Sequence, residues 1–141
     1  MEYIIVGIVV VLVGSSLFLA TLEMKKRGMF RSKNRDLDLA MVGLSQQIRR
    51  HPNDAKAHVK RGIVRFKKRD VKGALGDLIH AIELDDTDVE AHYHCGVVRH
   101  ETGDLKGARK EFDWIRDHSE DPFYKTAVSE RLQRIRAALS R

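Results

Sequence analysis

Residues 54–78 read DAKAHVKRGIVRFKKRDVKGALGDL, and residues 88–112 read DVEAHYHCGVVRHETGDLKGARKEF. Shifted by 34 positions, they match without a gap at ten sites: Asp54/Asp88, Ala57/Ala91, His58/His92, Gly62/Gly96, Val64/Val98, Arg65/Arg99, Asp70/Asp104, Lys72/Lys106, Gly73/Gly107 and Ala74/Ala108. Conservative pairs lie between them: Ile63/Val97, Asp77/Glu111 and Leu78/Phe112. A fixed period of this size marks stacked repeats, each one supersecondary unit that buries its apolar face against the next.

Local signals divide each unit into two helices. Asp70 and Asp104 stand where a second helix would be N-capped. Gly103, just before Asp104, suits the left-handed turn that follows a helix. Arg69 holds the equivalent place in the first unit, at a cost of about 1 kcal/mol if its backbone is left-handed. Thr87 with Glu90 reads as a capping box opening the second unit. Downstream, Asp121-Pro122 is an N-cap followed by proline at the first helical position. Tyr124, Ala127, Val128, Leu132, Ile135 and Leu139 then give a final amphipathic helix. Upstream, Leu37, Ala40, Met41, Leu44 and Ile48 form one helical stripe closed by Pro52.

Period and pattern resemble the tetratricopeptide repeat, a pair of antiparallel helices. The resemblance implies that Gly62, Ala74 and Ala81, and then Gly96 and Ala108, sit where helices touch, with Leu78 and Phe112 filling the adjoining gap. Ile115 departs from the pattern, standing where Ala81 stands in the first unit. The expected domain covers residues 37–141: a half repeat at 37–54, repeats at 55–88 and 89–122, and a capping helix at 122–140.

The first part of the chain reads differently. Tyr3–Leu22 is a run of twenty uncharged residues, which as a helix spans about 30 Å, the thickness of a bilayer's hydrocarbon core. The n-region, MEY, carries an acid and no base, and Phe18 occupies the place where a cleavage site wants a small residue. An uncleaved anchor is therefore expected rather than a signal peptide. The fold expectation is all-α: an N-terminal transmembrane helix at 1–22, a basic juxtamembrane linker at 23–36, then the short antiparallel helix-pair solenoid with its C-terminal cap. The linker holds Lys25, Lys26, Arg27, Arg31, Lys33 and Arg35, and no Lys or Arg precedes it. By the positive-inside rule the N-terminus lies outside and the domain in the cytoplasm of a single-pass membrane protein, with a bacterial inner membrane the expected location. Those bases would grip anionic lipid headgroups.

The net charge of +6 is compatible with an anionic partner, but aromatic residues make up only 6% of the chain. Single-strand nucleic-acid binding needs stacking platforms between the charges, so no nucleic-acid partner is expected. The single cysteine, Cys95, excludes an intramolecular disulfide. No phosphate-binding loop, dinucleotide fingerprint or metalloprotease motif occurs, so no enzyme and no cofactor are expected. The cluster His92–Cys95 (HYHC) lacks a second ligand group, and the resemblance implies interior positions for His92 and Cys95, which align with His58 and Arg61. Packing, not metal binding, is the expectation there.

The remaining candidate is the face that the resemblance implies is concave, lined by the first helix of each unit. It comprises Lys56, Val59, Ile63, Phe66 and Lys67, then Glu90, Tyr93, Val97, His100 and Glu101. Apolar residues at the centre with charges at the edges suit an amphipathic helix or an extended peptide. Family members that clamp a chaperone's C-terminal carboxylates use lysine and asparagine on this face. Val59 and Ile63 hold those places, so no such clamp is expected. The expected function is a membrane-anchored adaptor that holds or recruits a protein partner, with assembly of a membrane complex as its setting; a permanent accessory subunit and an organelle import receptor are the alternatives. Dimerisation is a further expectation, since two and a half repeats are few for a free-standing solenoid.

Overall fold

A computed structural model describes residues 22–26 and 34–140. The chain divides into two compact units, 1–38 and 39–141. In the first, 22–26 and 34–38 are described, and both stretches are helical. The apolar run at 3–22 lies outside the described residues except for Leu22, as do Arg27, Arg31 and Lys33. Among the described residues no helix is long and apolar enough to cross a membrane. The single-pass localisation is therefore corrected: it rested on the hydropathy of 3–22 and on the charges flanking it, and no described helix has the length and apolarity it required.

The second unit is built from helices. We label the helix at 34–50 α1, of which 39–50 belong to this unit. It is followed by α2 (Ala55–Lys67), α3 (Val71–Leu84), α4 (Val89–Glu101), α5 (Leu105–His118) and α6 (Pro122–Leu139). Each of α2 to α5 packs on the next, and α2 also touches α4. This is the stepping of a helix-pair solenoid, and the expected all-α repeat architecture is present.

An aspartate starts every helix from α2 onward. Asp54, Asp70, Asp88, Asp104 and Asp121 accept hydrogen bonds from the backbone N–H groups of Ala57, Gly73, Ala91, Gly107 and Phe123 respectively. Each cap satisfies a donor that the helix cannot, worth about 1 kcal/mol. The capping box at Thr87/Glu90 is corrected: Asp88 caps α4. The Thr87 hydroxyl instead donates to Asp85 Oδ1 at 2.7 Å, so it is not available for the helix. Gly103 is left-handed at φ +85°, and so is Arg69 at φ +69°. Both turns close the same way, with the N–H groups of Asp70 and Asp104 donating to the carbonyls of Arg65 and Arg99, each at 2.9 Å.

The small residues permit the close crossings. A Cβ placed on Gly62 would lie 2.9 Å from Leu78 Cγ, and one on Gly96 would lie 2.5 Å from Phe112 Cε1. Gly62, Ala74, Leu78, Ala81, Gly96, Ala108 and Phe112 are all buried. Two apolar clusters result. Val59, Leu78, Ala81, Ala91, Cys95 and Val98 join α2, α3 and α4. Ala108, Phe112, Ile115, Val128, Leu132 and Ile135 join α5 to α6. Ile115, the departure from the repeat, lies in the second cluster facing α6.

The half repeat is less covered. In register, Ala40 and Leu44 correspond to Ala74 and Leu78, yet they are half-buried while their counterparts are fully enclosed. Beside α2 there is an open cleft of about 490 Å³ lined by Met41, Val42, Ser45, Ile48, Arg49 and Arg61. Gln47 Nε2 donates to Asp54 Oδ2 at 2.7 Å, tying α1 to the cap of α2.

Candidate partner-binding groove

The first helices α2 and α4 carry the ten residues that the sequence pattern assigns to the groove. The structure divides them into three groups. Lys56, Lys67, Glu90 and Glu101 are exposed; Ile63, Phe66, Tyr93, Val97 and His100 are half-buried. Val59 is 1% exposed and belongs to the first core cluster, with Ala91 and Cys95 of α4. Helical phase puts Val59 on the groove side, but it is enclosed among Leu78 and Ala81 of α3 and Ala91 and Cys95 of α4. It is part of the floor's support and is corrected as a contact residue.

Tyr93 has a second engagement. Its ring meets Tyr124 of α6 edge-on, with centroids 5.4 Å apart, and the Arg131 guanidinium lies 5.8 Å from its centroid. Tyr93 and Val97 pack against the α5–α6 cluster, whereas Ile63 and Phe66 pack against the first. Phe66 is therefore the aromatic of this face least committed to holding another helix. His94, half-buried beside the groove, is held below the ordinary imidazole value chiefly by burial, with Lys67 acting in the same direction and Glu90 opposing.

Beneath the face lies a polar tie that the sequence pattern does not single out. In the first unit, Asp77 on α3 accepts from Arg61 Nη2 at 2.6 Å and Arg61 Nε at 2.8 Å. Arg65 Nη1 stands 3.0 Å from the same carboxylate, and His58 Nδ1 stands off at 3.6 Å. In the second unit Cys95 replaces Arg61, and the partners exchange. Glu111, one methylene longer, reaches His92 Nδ1 at 2.8 Å, while Arg99 Nε stands off at 4.0 Å. Each histidine also faces the loop before its helix: His58 Nε2 lies 2.9 Å from the Pro52 carbonyl and His92 Nε2 lies 3.1 Å from that of Asp86. The signal was present, because both histidine–carboxylate pairs recur at a separation of 19 residues.

The HYHC residues are thereby dispersed. His92 stacks on Trp114 at 3.8 Å, and Trp114 stacks in turn on His118 at 4.6 Å. His94 lies near Glu90, and Cys95 is enclosed in the core. Burial pushes the Cys95 thiol above its ordinary value. A thiolate is the reactive form, so Cys95 is expected to resist iodoacetamide in the folded chain and to react on unfolding in urea. Mass-spectrometric labelling across a urea series checks this; complete labelling without denaturant would contradict the packing.

The repeat register also extends upstream of residue 37. At the same spacing, 26–54 match 60–88 at eleven sites, including Lys26/Lys60, Arg27/Arg61, Gly28/Gly62, Arg31/Arg65, Lys33/Lys67, Arg35/Arg69, Asp36/Asp70, Ala40/Ala74 and Leu44/Leu78. Five of the six bases assigned to lipid headgroups thus have a basic counterpart in a repeat. The basic composition of 23–36 follows from the repeat and needs no anionic surface to account for it. Lys25, Lys26 and Arg35 are described and exposed.

No family model matches the chain, and no curated protein matches it. Solved structures do. The first tetratricopeptide domain of Spaghetti (RPAP3), bound to the HSP90 peptide SRMEEVD, superposes with a TM-score of 0.69 at 20% identity, covering 85% of this chain and 93% of that one. The Yersinia enterocolitica type III secretion chaperone SycD, in complex with a peptide of the translocator YopD, gives 0.69 at 15%, covering 75% and 84%. The tetratricopeptide domain of Arabidopsis OM64 gives 0.65 at 18%, covering 72% and 84%. The fold is that of a tetratricopeptide-repeat domain.

Proposed function

We propose that the chain is a protein-interaction adaptor that holds a peptide segment of a partner against the groove face of α2 and α4. The observation that carries this reading is the half-buried apolar strip of Ile63, Phe66 and Val97, bordered by the exposed charges of Lys56, Lys67, Glu90 and Glu101. Apolar side chains at spacings of three and four on a helix make a stripe that an incoming segment can cover, and the flanking charges orient it. Two of the similar structures hold peptides, one from HSP90 and one from YopD. The role is binding rather than catalysis, since the polar groups below the groove are consumed in tying helices together.

Affinity capture with the intact chain and with Phe66→Ala tests the reading. Truncating an aromatic anchor costs about 2 kcal/mol, or roughly 30-fold in Kd, so a directly bound partner should be lost. Tyr93 is the wrong probe, because its loss also disturbs α6. A partner retained equally by the variant, at an unchanged melting temperature, overturns the groove assignment.

A further inference from the structure

The charge on the groove reverses from one helix to the next. At positions 34 residues apart, Lys56 faces solvent where Glu90 does, and Lys67 where Glu101 does. Lys60 on α2 is likewise replaced by His94 on α4. Lys56, Lys60, Lys67 and Glu101 make no ion pair within 4 Å among the described residues, and Glu90 stands 3.9 Å from His94. The two helices touch, so a segment laid across them meets a basic wall on α2, Lys56 and Lys67 with Ile63 and Phe66 between them, then an acidic wall on α4, Glu90 and Glu101 with Val97 between them.

We propose that the groove selects an internal amphipathic segment of a protein partner, acidic at one end and basic at the other, with its acidic end on α2 and its basic end on α4. This rests on the groove reading above and adds the partner's chemistry. Complementary charge fixes the register of the bound segment and rejects others, because a like charge placed opposite a wall is repelled. A free acidic C-terminus is the rejected class. Its carboxylates would meet Ile63, which offers no side-chain donor, and then Glu90 and Glu101.

The test is fluorescence anisotropy with the full chain and four labelled probes. Three are end-capped peptides sharing one leucine-rich centre, with acid–base, acid–acid or base–base ends; the fourth is SRMEEVD with a free C-terminus. Exposed charge pairs change affinity by up to about fivefold each, so the acid–base peptide should bind about tenfold tighter than either like-ended peptide. Glu90→Lys with Glu101→Lys should transfer that preference to the acid–acid peptide, and Lys56→Glu with Lys67→Glu to the base–base peptide. Two opposite variants guard against one of them failing to fold. Equal binding of the three capped peptides, weakened throughout by Phe66→Ala, overturns the charge selection and leaves the groove reading standing. Tightest binding of SRMEEVD also overturns it. Binding of the peptides untouched by Phe66→Ala sinks both readings.

Discussion

Replacing Phe112 with alanine is expected to lower the unfolding free energy by about 3–5 kcal/mol, the largest loss from any single apolar truncation in this chain. Phe112 is fully enclosed and sits where three helices meet. Its ring lies against the bare backbone of Gly96 on α4, tilts toward Tyr93 at 6.4 Å, and has the Arg131 guanidinium of α6 at 6.0 Å. Truncation therefore loosens α5 from both neighbours at once. For a domain of this size each kcal/mol shifts the melting temperature by about 4–8 °C, so thermal unfolding followed by circular dichroism reads the effect directly. Gly96→Ala should also destabilise, because the added carbon would overlap the ring. In a Phe112→Leu background that cost should shrink, since the first unit pairs Gly62 with Leu78 at a wider 2.9 Å approach. Strict additivity of Gly96→Ala and Phe112→Leu would show that the glycine is not there to admit the ring.

The contrast between what was legible and what was not follows from sequence distance. The fold was readable because its tightest constraints repeat at one spacing: a residue without a side chain at 62 and 96, a large one 16 residues later, and a capping aspartate at 70 and 104. Each is dictated locally, by a crossing or by a helix end. The groove was readable in helical phase but not in depth. Phase places Val59 and Tyr93 beside Ile63 and Phe66, whereas depth depends on how close the next first helix comes. Val59 disappears under α4, and Tyr93 is claimed by α6. The helix α6 lies outside the strict period, since its cap Asp121 follows Asp88 by 33 residues rather than 34. A contact between α4 and α6 therefore left no trace in the repeat alignment. The capping box failed for a different reason: Thr87 had a competing acceptor two residues back, and a short side chain takes the nearer bond.

Asp77→Ala is expected to cost as much as the loss of Phe112, about 3–5 kcal/mol, although it removes only a carboxylate. The aspartate is 4% exposed and neutralises two arginines, Arg61 by a two-pronged contact and Arg65 at 3.0 Å. Without it, two like charges remain side by side at the α2–α3 contact, and the Arg61 side chain, 16% exposed, has little water to turn to. The damage is therefore asymmetric. Arg61→Ala should cost less, because Asp77 keeps Arg65 and gains room to approach His58, now 3.6 Å away. The double variant should recover part of the Asp77→Ala loss, giving a coupling of about 1–3 kcal/mol in a double-mutant cycle. The second unit supplies the rescue: it pairs cysteine at the Arg61 position with glutamate at the Asp77 position. Arg61→Cys with Asp77→Glu should let His58 take the carboxylate as His92 takes Glu111 at 2.8 Å, and be milder than Asp77→Ala alone. Urea unfolding of the four variants decides it. Equal losses for Arg61→Ala and Asp77→Ala, with no coupling, would mean that the tie is a surface ion pair and that the helices are held by apolar packing alone.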